Sequence, residues 1–193
     1  MSKKFELTTD TKTWLGRKLF RIKALISFGN VEEGELGGYI EKEENLDHNG
    51  NAWVYGNALV CGNAQVYGNA QVCGNALVCG NAQVYGNAQV CGNALVCGNA
   101  RVFGDAQVCD NALVSGDALV SGDADYTTIK GFGTEFRTTT FFKQKDGSIG
   151  VKCGCFYGTL EEFREQVKNT RTGKIAEEYM MIADLMEKHF KEE

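Results

Sequence analysis

Gly50-Asn51-Ala52-Trp53-Val54-Tyr55-Gly56-Asn57-Ala58-Leu59-Val60-Cys61-Gly62-Asn63-Ala64-Gln65-Val66-Tyr67 states one six-residue phrase three times, Gly-Asn-Ala-x-Val-x, and the phrase runs on to Tyr126. Ala stands at thirteen consecutive repeat positions from Ala52 to Ala124, and Val follows two residues later in twelve of them, from Val54 to Val120. Residues two apart on an extended chain point to one side, and the residue between them to the other. Each phrase is therefore a short strand with a small Ala/Val inner face. Gly and Asn, or Asp at 105, 117 and 123, end the strand, since these residues tolerate the positive φ of a sharp corner. Two strand positions and a corner every six residues leave no room for a hairpin turn. They fit a prism of three flat sides wound at 18 residues per coil, each strand pairing in parallel with the strand one coil on, about 4.8 Å away.

The outward positions mark the same coil independently. Stepping by 18 from the position after Ala, one side reads Trp53, Gln71, Gln89, Gln107 and Asp125. The second reads Leu59, Leu77, Leu95 and Leu113, and the third Gln65, Gln83, Arg101 and Leu119. The position after Val sorts equally well: Tyr55, Cys73, Cys91 and Cys109; Cys61, Cys79, Cys97 and Ser115; Tyr67, Tyr85, Phe103 and Ser121. A period of six alone does not force like residues into register at 18. An aliphatic residue followed four positions later by a small one resembles the hexapeptide signature of left-handed β-helices. That resemblance implies the handedness, which periodicity does not.

Three segments follow: a lead-in and cap over 1–49, the β-helix over 50–126 and a C-terminal α+β module over 127–193. In the lead-in, residues 19–26 have strand character, and Gly34, Gly37 and Gly38 mark turns. Counting back by six from Ala52 places Leu46 and Ile40 on the inner face of an irregular first coil, as the end of a solenoid requires. The run from Leu25 to Ile40, with the later Gly50-Asn51-Ala52-Trp53-Val54-Tyr55, resembles the start of the YdcK-like hexapeptide-repeat proteins of bacteria and phages. That resemblance spans residues 19–125 and implies a fold without an activity. Beyond Tyr126, two strand-like runs flank Lys145-Asp146-Gly147, a hairpin signal. Thr159-Leu160-Glu161-Glu162 is a capping box opening a helix to about Lys168. Ile175, Tyr179, Ile182, Met186 and Phe190 give a second helix, over 174–190, one buried face. This ββαα unit resembles the C-terminal segment of small uncharacterised phage and prophage proteins over 134–190.

Charge is uneven. The net −5 divides into +5 over residues 1–25, −10 over 26–125 and zero over 126–193. Nucleic acid is not expected as a partner of a chain so charged, and the basic N-terminus is expected to be solvated. No apolar run is long enough for a membrane span, and residues 1–10 lack the apolar stretch of an export signal. Six of the eight Cys fall on the repeat; in a chain that is not exported they are expected to be reduced thiols serving as small half-apolar side chains. The expected compartment is the cytoplasm of a host bacterium.

Many hexapeptide-repeat proteins are acyltransferases, so a transferase acting on a small nucleotide or sugar is the alternative function. Such catalysis needs a His base beside a coil. The two His of this chain, His48 and His189, lie in the lead-in and the last helix, and no loop interrupts residues 50–126. No catalytic residue, cofactor or metal is expected. Cys153 and Cys155 with His189 would offer three ligands without a fourth, and the Asp at 105, 110, 117, 123 and 125 are too bunched to imitate evenly spaced phosphates. The expected role is a non-enzymatic binding scaffold. Leu59, Leu77, Leu95 and Leu113, with Cys61, Cys79 and Cys97, form an apolar stripe that is either covered by the lead-in or the C-terminal helices of the same chain or used in homo-oligomerisation; the expected assembly is a trimer, the common one of left-handed β-helices. Tyr67, Tyr85 and Phe103, and in the C-terminal module Arg137, Phe141, Phe142, Lys143, Phe156 and Tyr157, are the candidates for contact with a host or phage macromolecule. Interference with a bacterial defence system is the specific role that the phage-like resemblance implies.

Overall fold

A computed structural model describes residues 3–191; the outermost two residues of the lead-in and of the C-terminal module lie outside the described residues. A hairpin of β1 (Phe5–Trp14) and β2 (Arg17–Ala24) leads through β3 (Leu36–Ile40) into twelve two-residue strands. These run from β4 (Trp53–Val54), one every six residues, to β15 (Leu119–Val120). They stack into three parallel sheets. Gln71 pairs with Gln89, Leu77 with Leu95, and Gln83 with Arg101, each at the spacing of 18. The chain is a parallel β-solenoid, and every Ala and Val of the inner face from Ala52 to Val120 is at most 1% exposed. Ile40 and Leu46 join that core as expected.

Each corner divides its work between two residues. Gly carries the positive φ, +60° at Gly56 and +73° at Gly80, and only Asp110, standing in a Gly position, adopts it with a side chain (φ +61°). Asn has a different task. Asn51, Asn69 and Asn87 form a ladder in which each Nδ2 donates to the Oδ1 one coil on, at 3.1, 3.0 and finally 2.9 Å to Asp105. A second ladder runs Asn63, Asn81, Asn99 and ends on Asp117. A carboxylate accepts without needing to donate, so Asp closes a ladder that has no further rung. Within the coils, residues 56–73 and 74–91 are identical in sequence.

A solenoid must hide two open ends. At the first, Gly37 and Gly38 cross the top coil so closely that a Cβ on Gly38 would lie 2.7 Å from the Ala58 carbonyl and the Val54 side chain. Lys4, expected to be solvated, is 1% exposed there. Its Nζ donates to the Ala52 carbonyl at 2.9 Å and lies 4.7 Å from the Phe28 ring centre. Burial lowers its pKa to about 8, against a partial upward pull from Asp47. The folded state thus releases this proton earlier than the unfolded chain, so the Lys4 contribution to stability is present above the unfolded value of 10.5 and is lost as pH falls through about 8. Urea titrations of wild type and Lys4→Met are expected to diverge in favour of the wild type across that window, by at most about 3 kcal/mol. Parallel curves would show that Lys4 titrates normally.

The second end is covered by the C-terminal module. Its sheet is β16 (Tyr126–Phe132), β17 (Arg137–Lys143), β18 (Ile149–Cys153) and β19 (Phe156–Thr159), all antiparallel. The expected hairpin is therefore the centre of a four-stranded sheet. Helix α1 (Leu160–Thr170) starts at the expected capping box, with Thr159 N donating to Glu162 Oε2 at 2.7 Å. Helix α2 (Gly173–Phe190) buries Tyr179, Ile182, Met186 and Phe190 as the spacing predicted. Strand β17 crosses the last coil: Leu113 N donates to Thr140 Oγ1 at 2.9 Å, and Ala118 bridges Gln144. Exposed strand edges invite pairing with other chains; here Gln107 N, Cys109 N and Leu113 N on the last coil find acceptors within the chain at Asp123, Tyr126 and Thr140.

Candidate binding surfaces

The outer Leu/Cys side is shorter than the sequence implies. Sheet order β1-β2-β3-β5-β8-β11-β14 makes the lead-in hairpin a continuation of this same face, where β5, β8, β11 and β14 are the strands of Leu59, Leu77, Leu95 and Leu113. Leu19 and Tyr39 therefore pack with Leu59 and Cys61, which are 7% and 1% exposed, and Trp14 reaches the cluster beside Leu77 and Cys79. Leu59 and Cys61 are intramolecular core and not interface. Leu77, Leu95, Leu113, Cys79 and Cys97 remain half-buried at the surface. The three thiols are coupled in file. Hydrogen bonding to Cys61 pushes Cys79 up to about 11, hydrogen bonding to Cys79 raises Cys97 further, and the Cys79 bond lowers Cys61. On the neighbouring column Cys91 and Cys109 are joined by a disulfide, at a Cα separation of 4.6 Å. This departs from the expectation of thiols throughout. Parallel stacking in register holds the two residues within the span that a disulfide needs.

The aromatic column forms as expected. Tyr67 stacks on Tyr85 at 4.8 Å and 2°, and Tyr85 on Phe103 at 5.1 Å and 8°. Arg101 lies against it, 5.4 Å from the Tyr85 ring centre and 5.8 Å from that of Phe103, and donates to the Tyr85 hydroxyl. Toward the N-terminus the ladder ends at a groove of about 510 Å³ lined by Glu43, Glu44, Leu46, Asp47, His48, Gln65, Val66 and Tyr67. There His48 stacks on Phe5 at 4.3 Å, and its Nδ1 accepts the Lys4 backbone N–H at 3.2 Å. The His48 Nε2 lies 3.7 Å from Glu43 Oε2, beyond hydrogen-bond reach. Glu43 is held below the usual carboxylate range by its hydrogen bond from Lys3, with His48 adding to it.

In the C-terminal module two expected contact residues prove to be core. Phe141 and Phe142 are both 0% exposed. Neighbours on a strand face opposite ways, and β17 has no free face: Phe142 joins the solenoid core and Phe141 the core beneath the helices. Phe156 is half-buried against Phe163. Lys143 pairs with Asp125 at 3.1 Å. Arg137 is exposed beside Glu135 at 3.9 Å, and Tyr157 is 43% exposed, its hydroxyl donating to Gln144 Oε1 at 3.3 Å. Burial of part of that ring raises the Tyr157 hydroxyl. The sequence reading missed Met181 and Leu185, 71% and 57% exposed on α2, and Phe136, 65% exposed at the β16–β17 turn. The signal was there: Met181 and Leu185 are i and i+4, away from the stripe that predicts the buried face. Cys153 accepts from Thr139 Oγ1 at 3.1 Å, while Cys155 and His189 are exposed. Among the described residues no group of three or more His, Cys, Asp or Glu is placed to hold a metal ion, and no helix is long and apolar enough to cross a membrane.

Residues 52–68, 70–86, 88–102 and 106–122 match the YdcK β solenoid repeat. The similarity covers the regular coils and includes neither the lead-in hairpin nor the C-terminal module. A search of curated proteins finds no match.

Proposed function

We propose that this YdcK-like β-solenoid is a non-enzymatic scaffold of the bacterial cytoplasm that self-associates through its coils and presents the C-terminal module to a macromolecular partner. The exposed pair on α2 carries the reading. A helix with one apolar stripe satisfies a single core; this helix buries that stripe and still offers Met181 and Leu185 to solvent. Methionine adapts to varied partner shapes, and Phe136 and Tyr157 add exposed aromatic area elsewhere on the module. The remaining Leu77–Leu95–Leu113 file is the surface for a homotrimer. Two features weigh against the transferase alternative: the coils contain no His, and Nδ1 of His48 is already occupied by the Lys4 backbone N–H. The phage-like resemblance extends the partner to a host or phage macromolecule, with inhibition of a bacterial defence system as the specific role.

Two double variants separate the surfaces. Met181→Glu/Leu185→Glu is expected to lose at least about tenfold in partner capture from bacterial lysate while keeping its oligomeric state. Leu77→Glu/Leu95→Glu is expected to shift light scattering from trimer toward the 21.1 kDa monomer. A wild type that runs as a monomer overturns the assembly, and capture unchanged by the α2 variant overturns the recognition surface. Loss of biological effect in a folded His48→Ala protein would return the transferase.

A further inference from the structure

We propose that the groove at the N-terminal end of the aromatic ladder binds the guanidinium group of an arginine side chain on a peptide segment. The ladder stops where the coil becomes irregular. Tyr85 covers one face of Tyr67. On the side toward the N-terminus, Leu46 bridges Val66 and Asp47 N donates to the Val66 carbonyl at 3.0 Å. The rung above Tyr67 is thus a short carboxylate and not a fourth ring, and the missing ring volume is part of the groove.

The lining selects the occupant. Glu43, Glu44 and Asp47 supply three carboxylates. Glu43 is bridged by Lys3 at 2.7 Å, and Asp47 Oδ1 is oriented by the backbone and amide of Asn49, both at 3.0 Å. Glu44 is exposed at the rim, and Gln65 adds a neutral amide beside Tyr67. Lys3 offsets Glu43 and Lys4 acts on Asp47, so Glu44 at the rim leaves the lining net negative; this favours a positive group, and the ring favours one flat enough to lie parallel to it. Guanidinium meets both demands: its donors lie in its plane, toward carboxylates, and its faces are weakly hydrated and stack on aromatic rings. An ammonium is round and holds its water more tightly. The ladder already accepts this chemistry from within, since Arg101 lies against Tyr85 and Phe103. The site is separate from the α2 surface proposed for the macromolecular partner, and stands or falls without it.

The test is an NMR titration of the full chain with acetyl-glycyl-arginyl-glycine amide, against the lysyl peptide of equal charge. Saturable shifts at Tyr67 and Gln65 are expected, with the arginyl peptide bound at least about tenfold more tightly than the lysyl one. Tyr67→Leu is expected to reduce arginyl binding to the lysyl level. Glu44→Gln, which alters only an exposed side chain, is expected to weaken both peptides without moving the thermal midpoint. Equal affinity for the two peptides would reduce the groove to an acidic patch and overturn the proposal. So would arginyl binding undiminished in a folded Tyr67→Leu protein, or the absence of saturable shifts at Tyr67.

Discussion

Replacing Phe142 with alanine is expected to lower the stability of the whole chain by about 3–5 kcal/mol, the range for deleting a fully buried ring. Phe142 is 0% exposed and belongs to the same apolar core as Val120 and the rest of the solenoid interior, although it stands on β17 of the C-terminal sheet. Its ring lies over Gly150 on β18, where a Cβ would come within 2.3 Å. Glycine is required there so that the ring can lie flat at the end of the coil. Alanine at 142 would leave a cavity bounded by the last coil on one side and β18 on the other. Urea denaturation followed by far-ultraviolet circular dichroism is expected to show one transition at a markedly lower midpoint. Tyr157→Ala, on an exposed position of the same sheet, is expected to change stability far less. A Phe142→Ala midpoint indistinguishable from wild type would mean that the module does not seal the solenoid. The same contact means that cutting the chain at residue 126 would uncover the core, so the module's role in recognition is better tested by surface substitutions.

Removing residues 71–88 is expected to leave a folded protein, whereas removing 71–89 is not. The first deletion joins Ala70 to Gln89, so the strand still reads Ala-Gln-Val and Trp53 meets Gln89 where it had met Gln71. Solenoid stability is close to a sum over coils and their interfaces, and the loss of one coil is expected to cost no more than about 10 °C in thermal midpoint. The second deletion joins Ala70 to Val90. Val90 then points to solvent and Cys91 into a core lined by Ala and Val, because a slip of one residue exchanges the faces of a strand. The Asn69 ladder and the parallel pairs beyond the junction lose their register with it. Aggregation of the longer deletion, beside a soluble shorter one, is the expected outcome. Two equally soluble proteins would contradict the three-sided frame.

The coils were legible because their information is periodic: the Leu and Gln columns sorted at 18 residues, and the strands pair at that step. The capping box at Thr159 and the buried stripe of α2 were legible for the same reason, being local patterns with fixed spacing. What escaped was set by contacts distant in sequence. Whether Leu59 is exposed or covered stays open in the sequence until the hairpin carries Leu19 and Tyr39 over it. Lys4 reads as a solvated cation until the carbonyl of Ala52, 48 residues on, accepts from it. Phe141 and Phe142 read as surface aromatics because nothing in their own strand reveals that both sides of it are occupied. In the groove, Tyr67 was found from its column. Its acidic neighbours Glu43, Glu44 and Asp47 were not, because the lead-in joins the coil out of the hexapeptide step, Leu46 meeting Val66.

The identity of residues 56–73 and 74–91 has a metric consequence. Inserting or losing such a block returns the chain to the same side of the prism. The C-terminal module is thereby carried along the axis by about 4.8 Å, one strand spacing, with little change in the side it occupies relative to the N-terminal cap. The molecule behaves as a ruler graduated in coils: the gap between its two ends can be lengthened or shortened stepwise by duplicating or deleting a sequence it already contains, while the direction in which each end faces is largely kept.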